Sequence, residues 1–187
     1  KILSYSNPNS EMKKFIIPFI FIGFFNSCMS KSEKKVQVGS QLPKFTLKDD
    51  KGADYSPSQW IGEKYVVIYF YPKDDTPGCT KESCSFRDSK TDFDELDAVI
   101  IGISADDQES HAKFKDKYNL TYTLLCDTNK VARKMFGVPS TLLGMIPGRV
   151  TYIFNKNGEC IHIINSQMNP EKHINESLEM IKKHMKS

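Results

Sequence analysis

Cys79 and Cys84 are the two residues whose type and spacing could do chemistry together. Cys79 follows a turn in which Thr76 suits a helix N-cap and Pro77 suits the first helical position. A cysteine in the first turn of a helix lies beside free backbone N–H groups and the positive end of the helix dipole, which favour the thiolate over the thiol. The sequence therefore predicts that Cys79 is a nucleophile. The alternative is an inert buried cysteine, the usual state of this residue type.

The five-residue spacing of the two cysteines predicts a redox pair rather than a permanent bond. In a continuous helix this spacing corresponds to about 7.5 Å of rise and roughly 140° of rotation, so the two sulfur atoms point to different faces. The Cα atoms would also lie beyond the roughly 7 Å at which a disulfide can close without movement of the backbone. Bonding Cys79 to Cys84 would require the first turns of the helix to unwind. The alternative for Cys84 is a packed helix residue.

Alternating strands and helices are predicted around this segment. Residues 65–71 form the most apolar β-like run after residue 38, and residues 99–104 form a second buried run. Two runs near the C-terminal end, 150–154 and 159–165, suit a hairpin across an Asn-Gly turn. Helices are predicted after the cysteine turn, over 109–118 and 130–136, and from Pro170. This alternation predicts a three-layer α/β domain.

The motif Pro72-x-x-x-Thr76-x-x-Cys79 matches the P-x-x-x-T-x-x-C signature of peroxiredoxins. The longer stretch, residues 71–84, resembles the Q-type or bacterioferritin comigratory protein subfamily of the AhpC/TSA superfamily. The resemblance covers about residues 38 to 183 and implies a thioredoxin-like fold with a central mixed β-sheet flanked by helices. It continues in three further segments, residues 102–106, 147–152 and 165–173.

The resemblance implies a role for each of five residues. Cys79 would be the peroxidatic nucleophile, and Cys84 the resolving cysteine that forms a redox disulfide with it. Thr76 would hydrogen-bond the peroxide in addition to capping the helix. Arg149 would stabilise the thiolate and the charge that develops on the leaving oxygen, and Pro72 would shield the sulfur from water and overoxidation. The alternative is that Thr76 is only a helix cap, Arg149 a solvated loop cation and Pro72 the end of a strand.

The activity implied is a thiol-dependent peroxidase that reduces hydrogen peroxide and alkyl hydroperoxides. Cys79 would become a sulfenic acid, and thioredoxin or a thioredoxin-like protein would reduce the later disulfide. No metal or organic cofactor is required, and a pair within one chain needs no dimer, so we expect a monomer. Two alternatives are a thiol–disulfide oxidoreductase acting on exported proteins and a metal-binding lipoprotein. The second would use Cys79, Cys84, Cys160 and His162.

Other features of the chain are predicted to be structural. With 187 residues there is room for one well-cored domain and a short appendage. The net charge of +3 is spread without a basic stripe, which argues against nucleic acid as a partner. Cys126 and Cys160 lie in strand-like runs and are predicted to be core thiols. His111 and His173 have charged helical surroundings, which predicts surface positions.

The N-terminal region predicts export. Two lysines after Met12, an apolar run over residues 15–25 and Ser27-Cys28 resemble a bacterial lipoprotein signal peptide with a lipidated Cys28. The run is shorter than the roughly 20 residues that span a membrane as a helix. We therefore expect a protein anchored at the membrane and facing the periplasm, or a soluble periplasmic protein. The predicted parts are an upstream extension over 1–11, a signal peptide over 12–27, a tether over 28–38 and a peroxiredoxin domain over 39–187.

Overall fold

The structure is a computed structural model that describes residues 35–141 and 146–186. The predicted upstream extension, signal peptide and lipidation site at Cys28 lie outside the described residues, as does the tether up to residue 34. Among the described helices, none is long and apolar enough to cross a membrane. The end of the predicted tether belongs to the folded domain, since Val36 is buried against the core.

A central sheet organises the described part of the chain. Its seven strands are β1 (Leu47–Asp49), β2 (Asp54–Tyr55), β3 (Tyr65–Phe70), β4 (Ala98–Ser104), β5 (Thr123–Cys126), β8 (Val150–Phe154) and β9 (Cys160–Asn165). They lie in the order β2-β1-β5-β4-β3-β8-β9. The pairs β3–β4 and β4–β5 are parallel, and the other pairs are antiparallel. A separate small hairpin consists of β6 (Ser140–Thr141) and β7 (Ile146–Pro147).

Helices pack on both faces of the sheet. They are α1 (Pro77–Asp88), α2 (Lys90–Glu95), α3 (Gln108–Tyr118), α4 (Val131–Phe136) and α5 (Pro170–His184), with a 3-10 turn at Pro57–Trp60. Local signals explain their ends. The Asp107 side chain accepts a hydrogen bond from the backbone of Ser110 at the start of α3, and Asn119 ends that helix in the left-handed conformation.

Strand β3 shows why the sheet is covered on both sides. All six of its residues are buried. Val67 and Tyr69 pack in one core cluster with Phe86 of α1, whereas Val66 and Phe70 pack in a second cluster on the opposite face. Such an all-apolar strand is typical of a sheet with helices on both faces. The predicted mixed α/β sheet flanked by helices is confirmed, as is the hairpin of β8 and β9.

Two histidines are not on the surface, so that prediction is wrong. His111 and His173 are both fully buried. In α3 Lys113 and Lys117 occupy outer positions, while His111 shares the inner face with Phe114 three residues later. In α5 His173 lies beside buried Ile174. Charged sequence neighbours indicated exposure, but the helical period turns these two rings inward.

Candidate active site

The predicted nucleophile lies where β3 leads through a loop into α1. Thr76 occupies the N-cap position and Pro77 the first helical position, which places Cys79 in the first turn. The Thr76 side chain does not cap the helix, however, because its hydroxyl donates to the carbonyl of Lys73 at 3.1 Å. The prediction of a side-chain cap is therefore wrong. The backbone N–H groups of this turn are left without that side chain as an acceptor.

A buried carboxylate fixes the loop before the helix. Asp74 accepts hydrogen bonds from the Tyr71 hydroxyl at 2.7 Å and the Ser110 hydroxyl at 2.7 Å. Its other close contact is His111, whose Nδ1 lies 2.8 Å from Asp74 Oδ2. The backbone N–H of Asp74 donates to Asp106 at 2.9 Å. These contacts tie the loop to β4 and α3, and sequence analysis missed all of them.

Cys79 and Arg149 are brought together, although they are distant in sequence. Cys79 is 1% exposed and Arg149 is 3% exposed. Arg149 Nη2 lies 3.5 Å from the Cys79 sulfur. Gln167 holds the arginine through its side-chain oxygen, 2.9 Å from the Arg149 backbone nitrogen. Gly78 permits the approach, since a Cβ atom there would lie 3.2 Å from Arg149 Nη2. A fixed cation therefore faces the sulfur in a nearly dry site.

A second buried arginine joins the two segments that form the site. Arg133 Nη2 donates to the carbonyl of Tyr71 at 3.0 Å, directly before Pro72. Its Nη1 donates to the carbonyl of Gly148 at 3.4 Å, directly before Arg149. Pro72 itself is half-buried. Arg133 thus sets the separation of the two chain segments, a role that its position on α4 did not reveal in the sequence.

Cys84 lies on the same unbroken helix as Cys79. Both cysteines are free, and Cys84 is half-buried. The arrangement is therefore that of the reduced pair, and a bond between them still requires the helix to open.

Glu82 is a buried acid of the site that sequence analysis missed. It is fully buried, and its Oε2 accepts a hydrogen bond from Arg149 Nη1. Its Oε1 has no hydrogen-bond partner among the described residues and lies 3.7 Å from His173 Nδ1. Burial raises the pKa of Glu82 to about 8, although Arg149 opposes the rise. Its spacing of three residues from Cys79 was a signal, because these positions share a helix face.

His173 completes the buried cluster as a neutral ring. Its Nε2 lies 2.9 Å from the carbonyl of Ser166, which can only accept, so Nε2 carries the proton. Nδ1 then accepts from the Thr151 hydroxyl at 2.8 Å. Burial lowers the pKa of His173 to about 4, far below its ordinary value. At neutral pH the ring adds no charge to the pair formed by Glu82 and Arg149.

The pKa shifts of Glu82 and His173 predict opposite pH dependences of the free energy of unfolding, which cancel each other over part of the pH range. Between 4.5 and about 8 the folded protein holds a proton on Glu82 that the unfolded chain releases, so stability falls as pH rises. Between 6.5 and about 4 the unfolded chain protonates His173 and the folded protein does not, so stability falls as pH falls. From pH 4.5 to 6.5 the two slopes oppose each other.

Replacing His173 by glutamine is expected to expose the slope of Glu82. Relative to the wild type, the free energy of unfolding of His173→Gln should fall by up to about 1.4 kcal/mol per pH unit as pH rises from 4.5 to 6.5. Urea unfolding at several pH values measures this difference. Between pH 4.5 and 6.5 the double variant with Glu82→Gln should restore the wild-type profile. Parallel profiles for wild type and His173→Gln would contradict the assignment.

A metal site built from the predicted residues is not formed. Cys160 packs in the second core cluster, on the sheet face opposite Cys79. His162 contacts Glu176 of α5 instead. No group of three or more His, Cys, Asp or Glu residues in the described part of the chain could hold a metal ion. Of the two predicted core thiols, Cys160 is buried as predicted, whereas Cys126 is only half-buried.

Comparison with known proteins identifies the family. The sequence model of the AhpC/TSA family matches residues 38–163. A chloroplastic peroxiredoxin Q of Suaeda salsa is 52% identical over 147 residues, which are 79% of this chain and 68% of that protein. The chloroplastic peroxiredoxin Q of Arabidopsis thaliana is 51% identical over 148 residues, with shares of 79% and 68%.

Solved structures show the same fold. Peroxidoxin BcpB of Mycobacterium tuberculosis matches with a TM-score of 0.74 and 32% identity, over 79% of this chain and 97% of that one. The bacterioferritin comigratory protein of Xanthomonas campestris, described with its alkyl peroxide reduction activity, matches with a TM-score of 0.69 and 28% identity, over 75% and 91% of the two chains. The thioredoxin-like fold is confirmed by these neighbours.

The predicted location is wrong. The relatives in the sequence comparison are named as chloroplastic proteins, which contradicts an exported lipoprotein in the periplasm and its soluble periplasmic alternative. The signal-like composition of residues 12–28 therefore misled the prediction, and we withdraw the lipid anchor at Cys28 with it. The relatives, the fold and the paired thiols lead to one assignment. The chain belongs to the AhpC/TSA family as a peroxiredoxin of the Q type, and it is a thiol-dependent peroxidase.

Proposed function

We propose that Cys79 is the nucleophile of this peroxidase and that Cys84 resolves its oxidised form. The observation that carries the proposal is the buried guanidinium of Arg149, 3.5 Å from the Cys79 sulfur at the start of α1. A fixed cation and a helix N-terminus both stabilise a thiolate.

In the first step the Cys79 thiolate attacks the terminal oxygen of the peroxide. A sulfur–oxygen bond forms, the oxygen–oxygen bond breaks, and the leaving oxygen takes a proton and departs as water or an alcohol. The guanidinium of Arg149 stabilises the negative charge that moves from sulfur to the leaving oxygen. Because the Thr76 hydroxyl donates to Lys73, its oxygen is free to accept the hydrogen bond of the peroxide O–H.

The burial of Cys79 favours a small substrate. With 1% of the residue exposed, its sulfur cannot reach a disulfide on the surface of another protein while α1 is intact. This argues against a thiol–disulfide oxidoreductase. The relative from Xanthomonas, described as reducing alkyl peroxides, supports organic hydroperoxides as substrates beside hydrogen peroxide.

In the second step Cys84 attacks the sulfenic acid of Cys79. A sulfur–sulfur bond forms, the sulfur–oxygen bond breaks, and the hydroxyl leaves with the thiol proton as water. A dithiol protein then reduces the bond through a mixed disulfide. Since the predicted export is withdrawn, an ordinary thioredoxin is the reductant to test first. Both cysteines lie on one helix, so we propose that a monomer suffices.

A peroxide pulse followed by mass spectrometry tests this proposal. One equivalent of hydrogen peroxide should give a protein whose peptides containing Cys79 and Cys84 are linked, and thioredoxin with its reductase should restore both thiols. The same system should consume hydrogen peroxide and tert-butyl hydroperoxide over many turnovers. Pairing of Cys79 with any other cysteine, or continued turnover without a linked pair, would contradict the assignment of Cys84.

A further inference from the structure

The two halves of α1 are held very differently. The first half contains Pro77 and Gly78, and its N-cap side chain makes no capping bond. An absent cap weakens the first turn of a helix. In the second half Phe86 stacks on Tyr69 with ring centroids 4.6 Å apart. The first half is held instead by the contacts of Cys79 and Glu82 with Arg149. Oxidation of the Cys79 sulfur changes the contact with Arg149, so an opening of α1 should begin at the Cys79 end.

A set of three buried hydroxyl groups meets the helix directly before Cys84. We call it the Ser83 clamp: Ser83 of α1, Tyr69 of β3 and Tyr122 before β5. The Tyr69 hydroxyl lies 3.1 Å from Ser83 Oγ and 2.8 Å from the Tyr122 hydroxyl. Tyr122 donates to the backbone carbonyl of Ser83 at 3.0 Å. The clamp thus holds both the side chain and the backbone of one helical residue.

The Ser83 clamp opposes the backbone movement that disulfide formation requires. Ser83 is inside the loop that a bond between Cys79 and Cys84 would close, and the residues of that loop cannot keep helical geometry. Ser83 and Tyr69 are 0% exposed and Tyr122 is 5% exposed, so water does not replace hydrogen bonds that break there. Moving the backbone at Ser83 therefore breaks hydrogen bonds that water cannot replace.

We propose that the Ser83 clamp is a brake on the opening of α1 and so sets how the Cys79 sulfenic acid divides between disulfide formation and further oxidation. This inference rests on the proposed function, because it needs Cys84 as the resolving thiol. Disulfide formation expels the hydroxyl oxygen as water. Further oxidation instead forms a second sulfur–oxygen bond, breaks the oxygen–oxygen bond of a second peroxide and yields a sulfinic acid. In this proposal Ser83, Tyr69 and Tyr122 are positioning residues that act through α1 and not on the peroxide itself.

Tyr122→Phe tests the brake without leaving an unpaired polar group. After this substitution the Tyr69 hydroxyl still hydrogen-bonds Ser83 Oγ, and the Ser83 carbonyl still accepts a hydrogen bond from the backbone N–H one helical turn later. Tyr122→Phe loses two hydroxyl contacts, to the Ser83 carbonyl and to Tyr69, and only the first holds the backbone of α1. Loss of that hydrogen bond should speed disulfide formation about fivefold, equivalent to about 1 kcal/mol. The peroxide concentration that converts half of the protein to sulfinic acid should rise about fivefold as well. The rate of sulfenic acid formation should stay at the wild-type value.

Tyr65→Phe is the matched control. Tyr65 is also 5% exposed, and Tyr65→Phe loses the hydroxyl contact with His184 Nδ1 at 3.0 Å, which is not a contact with α1. Single-turnover samples quenched with acid and an alkylating agent give the disulfide rate, and intact mass gives the sulfinic fraction. If Tyr122→Phe does not fold, Tyr69→Phe is the test variant in its place, because it keeps the stacking on Phe86.

The outcomes separate the two proposals. If the wild type forms no bond between Cys79 and Cys84, the proposed function fails at its second step and the brake fails with it. If the bond forms in the wild type but at an equal or lower rate in Tyr122→Phe, the brake alone is refuted. Equal acceleration in Tyr65→Phe would also refute it, since general destabilisation would then explain the change.

Discussion

Cys79→Ser is expected to abolish peroxide reduction, by at least about a thousandfold in the rate of peroxide consumption. A serine hydroxyl does not ionise near neutral pH, so neither the helix start nor Arg149 can turn it into a nucleophile. The fold should survive, because the two side chains differ by one atom at a site that already contacts the guanidinium of Arg149. Consumption of hydrogen peroxide with excess thioredoxin and its reductase measures the effect.

Two further Cys→Ser variants show whether the loss of activity is specific to Cys79. Cys84→Ser should react once and then stop as a sulfenic acid, which dimedone traps, unless an external thiol reduces it. Cys126→Ser should turn over like the wild type, because Cys126 lies on β5 rather than α1. Multiple turnovers in Cys79→Ser would end the assignment of the nucleophile. Multiple turnovers in Cys84→Ser without external thiol would end only the assignment of the resolving residue.

Loss of the Arg149 charge is expected to lower kcat/KM for peroxide by about 100- to 1,000-fold, the usual effect of removing a donor aimed at developing negative charge. Arg149→Gln alone would leave Glu82 Oε2 buried without its hydrogen-bond donor, which destabilises the fold. The informative variant is therefore Arg149→Gln combined with Glu82→Gln. Stopped-flow oxidation of Cys79 by hydrogen peroxide measures the rate.

The control for this experiment separates charge from geometry. Glu82→Gln alone keeps the guanidinium beside Cys79 and replaces an acid, uncharged at pH values below its pKa of about 8, by an uncharged amide. We expect Glu82→Gln to be oxidised at about the wild-type rate and the double variant to show the full loss. Arg149→Lys should lie between wild type and the double variant, because an ammonium keeps the charge but not the planar fork of donors. An unchanged rate in the double variant would exclude Arg149 from the chemistry.

Local patterns in the sequence were enough to predict the frame of this site. The apolar run ending at Phe70 and the turn of Thr76 and Pro77 specify a strand and a helix start through short-range rules, and both are present. The approach of Arg149 to Cys79 could not be derived that way. It rested on the resemblance to peroxiredoxins, since only the tertiary fold determines which distant cation reaches the sulfur.

The missed residues share a physical cause. Glu82, His111 and His173 are polar groups whose burial depends on partners from other elements, and composition alone predicts exposure for such residues. The Thr76 hydroxyl was assigned to the nearest backbone donors, but the loop carbonyl of Lys73 takes it instead. The predicted export failed for a related reason, because it rested on the composition of one short segment.

The position of Arg133 has a consequence for anyone who wishes to reshape the peroxide pocket. One side chain from the far side of the sheet bonds to the peptide before Pro72 and to the peptide before Arg149. These two chain segments therefore cannot move independently, and a substitution that shifts one of them also shifts the other. Redesign for bulkier hydroperoxides would have to include Arg133 on α4, although neither of these hydrogen bonds involves the Cys79 sulfur.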